Sequence, residues 1–240
     1  LVKDCLIKVA RENAYNPIAE YLESVAGLAK STPKITSNEI ADWFGFARND
    51  KVSIELARVH LRACALRGMH PGEKMDTVLI LAGPMGKRKS TAIRLLAPDK
   101  SYYDETTRAN LDDRDTLSAM NSTFIFELSE IEKLIMSRDS SEVKSWISRT
   151  DDNYVEKYES TVTEHPRRCC LFGTTNSTTF LNDPTGSRRF LITYNVRECD
   201  TEGLEKNRDR LWAHMLHEQR QGMPFYLRMD DPLMKDASER

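Results

Sequence analysis

The sequence is poor in cysteine and has no long apolar run. It contains five cysteines, an odd number, and no Cys-x-x-Cys pair, which favours reduced thiols in a protein core over a disulfide framework. No apolar segment approaches the roughly 18 residues of a membrane span, and the first residues lack the pattern of a signal peptide. We therefore expect a cytoplasmic protein without a membrane partner.

The sequence also has no excess of one charge, with 35 basic and 37 acidic residues and a net charge of −2. Whole-chain charge therefore gives no argument for nucleic-acid binding, although a local basic surface can still exist. A chain of 240 residues forms one large domain, or a domain with a small appendage. Because residue 1 is Leu rather than Met, we expect an excised or trimmed fragment.

The sequence pattern changes near residue 72. Residues 1–72 are predicted to be helical, because "NPIAEYLESVAGLAK" and "SIELARVHLRACALRGM" carry apolar residues at helical spacing. Residues 73–240 contain four short apolar runs that predict buried strands, "TVLILAG", "STFIFEL", "RCCLFGTTN" and "RRFLITYNV", with helical segments between them. This alternation predicts an α/β fold with a mostly parallel sheet, preceded by an N-terminal helical region.

A glycine-containing loop follows the first predicted strand, in the sequence "LILAGPMGKRKST". The pattern approaches the G-x-x-x-x-G-K-[ST] of phosphate-binding loops, except that Arg88 occupies the second glycine position. Lys89 would reach the β- and γ-phosphates of a nucleotide, and Ser90 would hold Mg²⁺. The predicted binding residues are Gly83, Pro84, Met85, Gly86, Lys87, Arg88, Lys89, Ser90 and Thr91.

Arg88 makes this loop unusual. Glycine at that position usually permits a backbone shape with positive φ, which costs a residue with a side chain about 1 kcal/mol. A cost of that size weakens binding several-fold without abolishing it. Lys87 and Arg88 also add two positive charges beside an anionic ligand.

Two carboxylates follow the second predicted strand. Glu127 lies near the end of "STFIFEL", one residue before Leu128, and Glu130 lies three residues further on. A nucleoside triphosphatase needs one carboxylate to hold the Mg²⁺ shell and one to orient the attacking water. The alternative is that the acids begin a solvated helix, where they favour the N-terminal dipole, and we interpret Glu132 in that way.

Polar residues also lie next to the last two predicted strands. Asn176, just past the third strand, can hydrogen-bond the γ-phosphate or the attacking water, or it is an ordinary turn residue. Arg188 and Arg189 stand immediately before the fourth strand. Either arginine can stabilise transition-state charge at a neighbouring subunit's nucleotide, or the pair is plain surface charge.

With these motifs in this order, the sequence resembles the virulence-associated protein E family of phage and mobile-element proteins. That family is related to the helicase half of poxvirus-type primase-helicases and to superfamily 3 helicases of the AAA+ class. The resemblance is most specific in "VKSWISRTDDNYVEKYESTVTEHPRRCCLFGTTNSTTFLNDPTGSRRF" and extends to "HPGEKMDTVLILAGPMGKRKSTAIRLLA", "FIFELSEIE" and "RDRLWAHMLHEQRQGMPFYL".

The resemblance implies an AAA+ P-loop NTPase core at residues 73–240. It implies ATP and Mg²⁺ as ligands, hydrolysis between subunits of a ring, expected to be a hexamer, and movement on single-stranded or forked DNA. Carried over by position, it implies phosphate and Mg²⁺ binding by Lys89 and Ser90, an acidic motif at Glu127 with Glu130, a sensor at Asn176, and an arginine finger at Arg188 or Arg189.

The resemblance also implies a DNA-contacting hairpin within about residues 150–166. Lys157 would contact a phosphate and Tyr158 would stack on a base, although an ordinary polar hairpin is the alternative. A fused or separate primase is a common partner in the resemblance group.

The favoured function is therefore an ATP-dependent helicase module for replication of a phage or mobile element. The alternatives are a catalytically impaired AAA+ scaffold with a degenerate loop, and a DNA-binding switch.

Overall fold

The computed structural model describes residues 5, 9, 15–107, 112–137, 140–157, 160–177, 187–228 and 230–238. Four helices precede the first strand in the described part of the chain: α1 Pro17–Val25, α2 Leu28–Ser31, α3 Ser37–Trp43 and α4 Lys51–Met69. Side chains cap two of them. Asn16 accepts hydrogen bonds from two backbone N–H groups of α1, and Thr36 and Glu39 form a reciprocal capping box at α3.

The described strands form one sheet and one hairpin. They are β1 Val78–Ala82, β2 Tyr103–Thr106, β3 Ile125–Ser129, β4 Asp151–Val155, β5 Val162–Pro166, β6 Cys170–Thr175 and β7 Phe190–Tyr194. The sheet has the order β2-β3-β6-β1-β7, and all of its pairs are parallel. The prediction of an α/β fold with a mostly parallel sheet is therefore confirmed.

Helices alternate with these strands and complete the described fold. They are α5 Lys89–Leu95, α6 Arg114–Ser122, α7 Ile131–Ser137, α8 Ser140–Ile147, α9 Thr201–Arg220 and α10 Pro232–Ser238, with short 3-10 turns at Lys100–Tyr102 and Ser187–Arg189. None of the described helices combines the length and the apolar character that a membrane-spanning helix needs.

Both faces of the sheet are covered by helices. Alternate residues of β1 belong to different clusters: Leu79 and Leu81 pack with α1, α3, α4, α5 and α9, whereas Val78 and Ile80 pack with α6, α7 and α8. Strands buried on both faces are continuously apolar, which is why the four predicted strands were visible in the sequence. The predicted division of the chain at residues 72 and 73 stays a prediction.

The sequence pattern did not predict the edge strand β2. Its sequence "YDET" has no apolar run, and its side chains are half-buried or exposed. Strand β2 is placed by parallel backbone pairing with β3, in which Glu105 lies opposite Glu127. Backbone pairing leaves no hydrophobic pattern in the sequence, so only the tertiary structure reveals this strand.

The antiparallel hairpin β4–β5 is anchored at its base by Arg167. The Nε of this arginine donates to Asp152 Oδ2 at 2.9 Å, and a second guanidinium nitrogen donates to the backbone oxygen of Trp146 at 2.8 Å. The guanidinium also lies 4.8 Å from the centre of the Trp146 ring. Because the ion pair is buried and fully hydrogen-bonded, it holds the hairpin against α8.

Candidate nucleotide-binding site

The glycine loop, residues 83–91, lies at the carboxyl edge of the sheet. It borders a cavity of about 390 Å³, which is also lined by Ser129 and Glu130 after β3 and by Thr174, Thr175 and Asn176 at the end of β6. Open α/β sheets bind ligands at this edge. The structure therefore brings the loop, the acidic strand and the predicted sensor residue together around one cavity.

The two glycines of the loop serve different purposes. A Cβ on Gly83 would lie 2.4 Å from the backbone oxygen of Asn195, so Gly83 permits close approach of the segment that follows β7. Gly86 has open space around it but a φ of +82°, a conformation that favours glycine. Both glycines are therefore required by the shape of the loop.

Arg88 adopts the left-handed conformation that the loop pattern predicts for this position, with φ 60° and ψ 27°. Its Nε lies 3.7 Å from Glu198 Oε1, and both side chains are largely exposed, so this ion pair adds little stability. The backbone N–H of Cys199 donates to the oxygen of Lys87 at 3.1 Å. The segment after β7 thus supports the loop on which Arg88 lies.

Comparison of Arg88→Gly with Arg88→Ala separates backbone strain from side-chain effects. Both variants lack the guanidinium, but only glycine adopts a positive φ without cost. We expect the glycine variant to have a free energy of unfolding about 1 kcal/mol higher than the alanine variant. Urea denaturation measures the difference, and equal stabilities would show that the backbone at residue 88 is unstrained.

Lys89 is buried at the start of α5 and points into the loop. Its Nζ donates to the backbone oxygens of Gly83 at 2.6 Å and Pro84 at 2.9 Å, and to Asn176 Oδ1 at 3.1 Å. Burial lowers the pKa of Lys89, because loss of water disfavours the ammonium ion, while the nearby Glu127 carboxylate opposes this shift. An anionic ligand beside Nζ would favour the charged form further.

Glu127 is fully buried and surrounded by hydroxyl groups. Its Oε1 accepts hydrogen bonds from Ser90 Oγ and Thr174 Oγ1, both at 2.7 Å, and its Oε2 accepts one from the Tyr103 hydroxyl at 2.8 Å. The two predicted Mg²⁺ ligands, Ser90 and Glu127, therefore lie side by side. Tyr103 and Thr174 were missed, since a single hydroxyl residue in a strand carries no signal of its partner.

The donor set near Ser90 suits Mg²⁺ only in part. Hydroxyl and carboxylate oxygens are hard ligands of the kind that Mg²⁺ prefers. Within the described ranges, however, no group of three or more His, Cys, Asp or Glu side chains is arranged to hold a metal. A Mg²⁺ ion here would take its remaining ligands from phosphate oxygens and water, as Mg²⁺ does in nucleotide sites.

The two later carboxylates differ from each other. Glu130 has a φ of 52°, lines the cavity and accepts a hydrogen bond from Lys133. Glu132 is half-buried, and its Oε2 is buried with no hydrogen-bond partner among the described residues. Glu132 lies in the first turn of α7, as the interpretation of a helix start predicts, but the burial of Oε2 shows that this oxygen is not solvated.

Neither arginine of the predicted finger lies at this cavity. Both precede β7, which runs parallel to β1, so they lie at the amino edge of the sheet, about 15 Å away along the strands. Arg188 lies 3.9 Å from Asp76 and lines a second cavity of about 610 Å³. Arg189 Nε donates to Ser148 Oγ at 2.9 Å.

Of the two predicted DNA contacts, Lys157 is exposed and follows β4 of the β4–β5 hairpin. Tyr158 lies outside the described residues. The hairpin itself covers most of the segment 150–166 in which it was expected.

The fold and the site together define an α/β protein with a glycine loop, a buried carboxylate and an amide at the carboxyl edge of a parallel sheet. The chain belongs to the virulence-associated protein E-like domain family, which it matches over residues 26–240. The predicted family is thereby confirmed. No curated protein matches the sequence.

Solved structures of the NrS-1 C-terminal region are similar in fold. One apo structure has a TM-score of 0.60 at 16% sequence identity, with 89% of this chain and 51% of that chain covered. Two further apo structures of the region have TM-scores of 0.56 and 0.57, the same identity, and 50% of each of those chains covered. The chain thus spans about half the length of the solved structures that it matches. At this identity the likeness shows the fold alone.

Proposed function

We propose that this chain is an ATP-dependent motor module that moves on DNA during replication of a phage or mobile genetic element. One observation carries the proposal: Lys89, Ser90 and Asn176 line one cavity, and the buried carboxylate of Glu127 in β3 accepts a hydrogen bond from Ser90 beside it. These are the residue types that a nucleoside triphosphatase requires. Membership of the virulence-associated protein E-like family supports the same function.

The proposed reaction is transfer of the γ-phosphoryl group of ATP to water. The glycine loop acts as a P-loop, and phosphate oxygens replace Gly83 O, Pro84 O and Asn176 Oδ1 as acceptors for the Lys89 ammonium. Ser90 and Glu127 would hold Mg²⁺, which neutralises charge on the phosphate oxygens when bound. Glu130, at the rim of the cavity, orients the attacking water.

A second copy of the chain supplies the arginine that stabilises the negative charge of the transition state. Arg188 lies at the opposite edge of the sheet from its own loop, so it can act only on a neighbour's nucleotide. We favour Arg188 over Arg189 as the finger, because Arg189 is hydrogen-bonded to Ser148 within the chain. Such head-to-tail contacts close into a ring, for which the proposed state is a hexamer.

The alternative function is an AAA+ scaffold with an impaired loop. Against it, the loop keeps a left-handed residue 88, and Lys89 and Ser90 remain hydrogen-bonded to the sensor and acidic residues. A scaffold would bind partners without turnover, and its loop residues would tolerate substitution. These contacts therefore favour the enzyme.

ATP hydrolysis by the purified chain with Mg²⁺, with and without single-stranded DNA, tests the proposal. We expect DNA to stimulate hydrolysis at protein concentrations high enough for assembly. Nucleotide binding without hydrolysis at every concentration, and with Arg88→Gly equally silent, would support the scaffold instead.

Lys157→Ala tests the DNA contact at the hairpin. One lost phosphate contact should raise the DNA concentration for half-maximal stimulation about three- to tenfold. The slope of the logarithm of the binding constant against the logarithm of the salt concentration should become shallower by about one. Lys100→Ala, which removes an exposed lysine at the Lys100–Tyr102 turn, is the matched control. Equal behaviour of the two variants would place DNA binding elsewhere.

A further inference from the structure

Tyr103 occupies an unusual place at the start of the edge strand β2. Its ring packs against the hydrophobic cluster shared by α1, α4 and α9, so the ring is held in place. Its hydroxyl donates a hydrogen bond to Glu127 Oε2 on the neighbouring strand β3, at 2.8 Å. Burial and the charge of Glu127 raise the pKa of Tyr103, which keeps the phenol protonated and a hydrogen-bond donor.

The two oxygens of Glu127 have different partners. Ser90 and Thr174 donate to Oε1, whereas Tyr103 donates to Oε2. Ser129 Oγ also donates to Oε1, so four hydroxyl groups from α5, β6, β2 and β3 fix the plane of one buried carboxylate. Hydrogen bonds to a charged acceptor are about twice as strong as neutral ones, so the loss of Tyr103 would remove a strong constraint on Oε2.

A second carboxylate, that of Glu105, lies close to the Tyr103 hydroxyl. Glu105 Oε2 lies 3.0 Å from the same phenol oxygen, and Ser129 Oγ lies 3.2 Å from Glu105 Oε2 and 3.3 Å from Glu127 Oε1. Two hydroxyl groups thus stand between two like charges. Without the phenol proton, repulsion from Glu105 would favour rotation of Glu127 away from its position beside Ser90.

We infer that Tyr103 is a positioning residue for Glu127, which it holds with Oε1 facing Ser90, the hydroxyl residue that would hold Mg²⁺ together with this carboxylate. This inference rests on the proposed function, because it assigns a role within the same site. Tyr103 is not among the residues that line the cavity, so it would act through Glu127. The edge strand β2 thereby becomes part of the site.

Tyr103→Phe tests the inference, because it removes one oxygen and keeps the ring. We expect kcat for ATP hydrolysis to fall about tenfold, with the KM for ATP at saturating Mg²⁺ changed less than twofold and a several-fold higher Mg²⁺ concentration for half-maximal rate. Tyr102→Phe is the matched control. It removes the same atom from the preceding residue, whose ring packs on the same cluster, and its kcat should equal that of the unchanged chain.

Binding of a fluorescent ADP, measured with and without Mg²⁺, gives a readout that does not depend on turnover. Tyr103→Phe should weaken the Mg²⁺-dependent part of the affinity in the unchanged chain and have no further effect in a Glu127→Ala background, because its partner is gone. Equal losses in both backgrounds would show a merely structural role and overturn the inference.

The proposed function and the positioning role of Tyr103 can be overturned separately. If the unchanged chain shows neither hydrolysis nor Mg²⁺-dependent nucleotide binding, the proposed function fails and the positioning role fails with it. If the unchanged chain shows both and Tyr103→Phe matches Tyr102→Phe, only the positioning role is overturned.

Discussion

Replacement of Lys89 by alanine is expected to lower kcat/KM for ATP hydrolysis about a thousandfold or more. The ammonium group is buried beside the loop, with Gly83 O, Pro84 O and Asn176 Oδ1 as its acceptors. No other cation in the described cavity lining is buried in this way, since Lys87 and Arg88 are partly or largely exposed. Steady-state kinetics of the purified variant measure the loss.

The control for Lys89→Ala must separate lost chemistry from lost folding. Lys100→Ala removes the same charge from an exposed position outside the cavity and should keep the full rate. Thermal unfolding of both variants checks that the loop still folds without the Lys89 hydrogen bonds. A folded Lys89→Ala chain that hydrolysed ATP at a normal rate would exclude the P-loop proposal.

Arg188→Ala is expected to lower kcat by about a thousandfold, within the range for an arginine finger, and to leave ATP affinity nearly unchanged. The reason is that Arg188 would contribute charge only to the transition state at a neighbour's nucleotide. In its own chain it faces Asp76 at the amino edge of the sheet. Single-turnover hydrolysis and equilibrium nucleotide binding together separate these two effects.

Arg189→Ala is the matched control, because it removes a guanidinium from the adjacent residue. Its hydrogen bond to Ser148 predicts a loss of stability rather than of rate.

A sharper test mixes Arg188→Ala with Lys89→Ala. In mixed rings a Lys89→Ala copy can place its intact Arg188 at the intact loop of an Arg188→Ala copy, so activity should return. No recovery in the mixture, or full activity of Arg188→Ala alone, would remove Arg188 from the finger role.

Part of this architecture was predictable because burial on both faces leaves a strong pattern. Strands β1, β3, β6 and β7 each contain a short, largely buried apolar run, and the sequence predicted each of them from that run. The glycine loop was likewise evident, because its backbone shape demands Gly83 and Gly86 at fixed spacing. The loop pattern predicted strain at Arg88 on the condition of a positive φ, and its φ of 60° meets that condition.

Other features depend on contacts between distant segments, and these carry no local pattern. The edge strand β2 is placed by backbone pairing, and the Tyr103 hydroxyl meets Glu127 only because the two strands are neighbours. The partly buried state of Glu132 arises in the same way, from packing that its own helix sequence does not encode.

The sequence by itself determined the α/β class, four of the sheet strands, the glycine loop and the family, because each depends on periodicity or on motif spacing along the chain. Only the tertiary structure decided which side chains surround Glu127 and at which edge of the sheet the Arg188–Arg189 pair lies. Strand order decides the first and the parallel direction of β7 decides the second, and both are set by long-range packing of the sheet between two layers of helices.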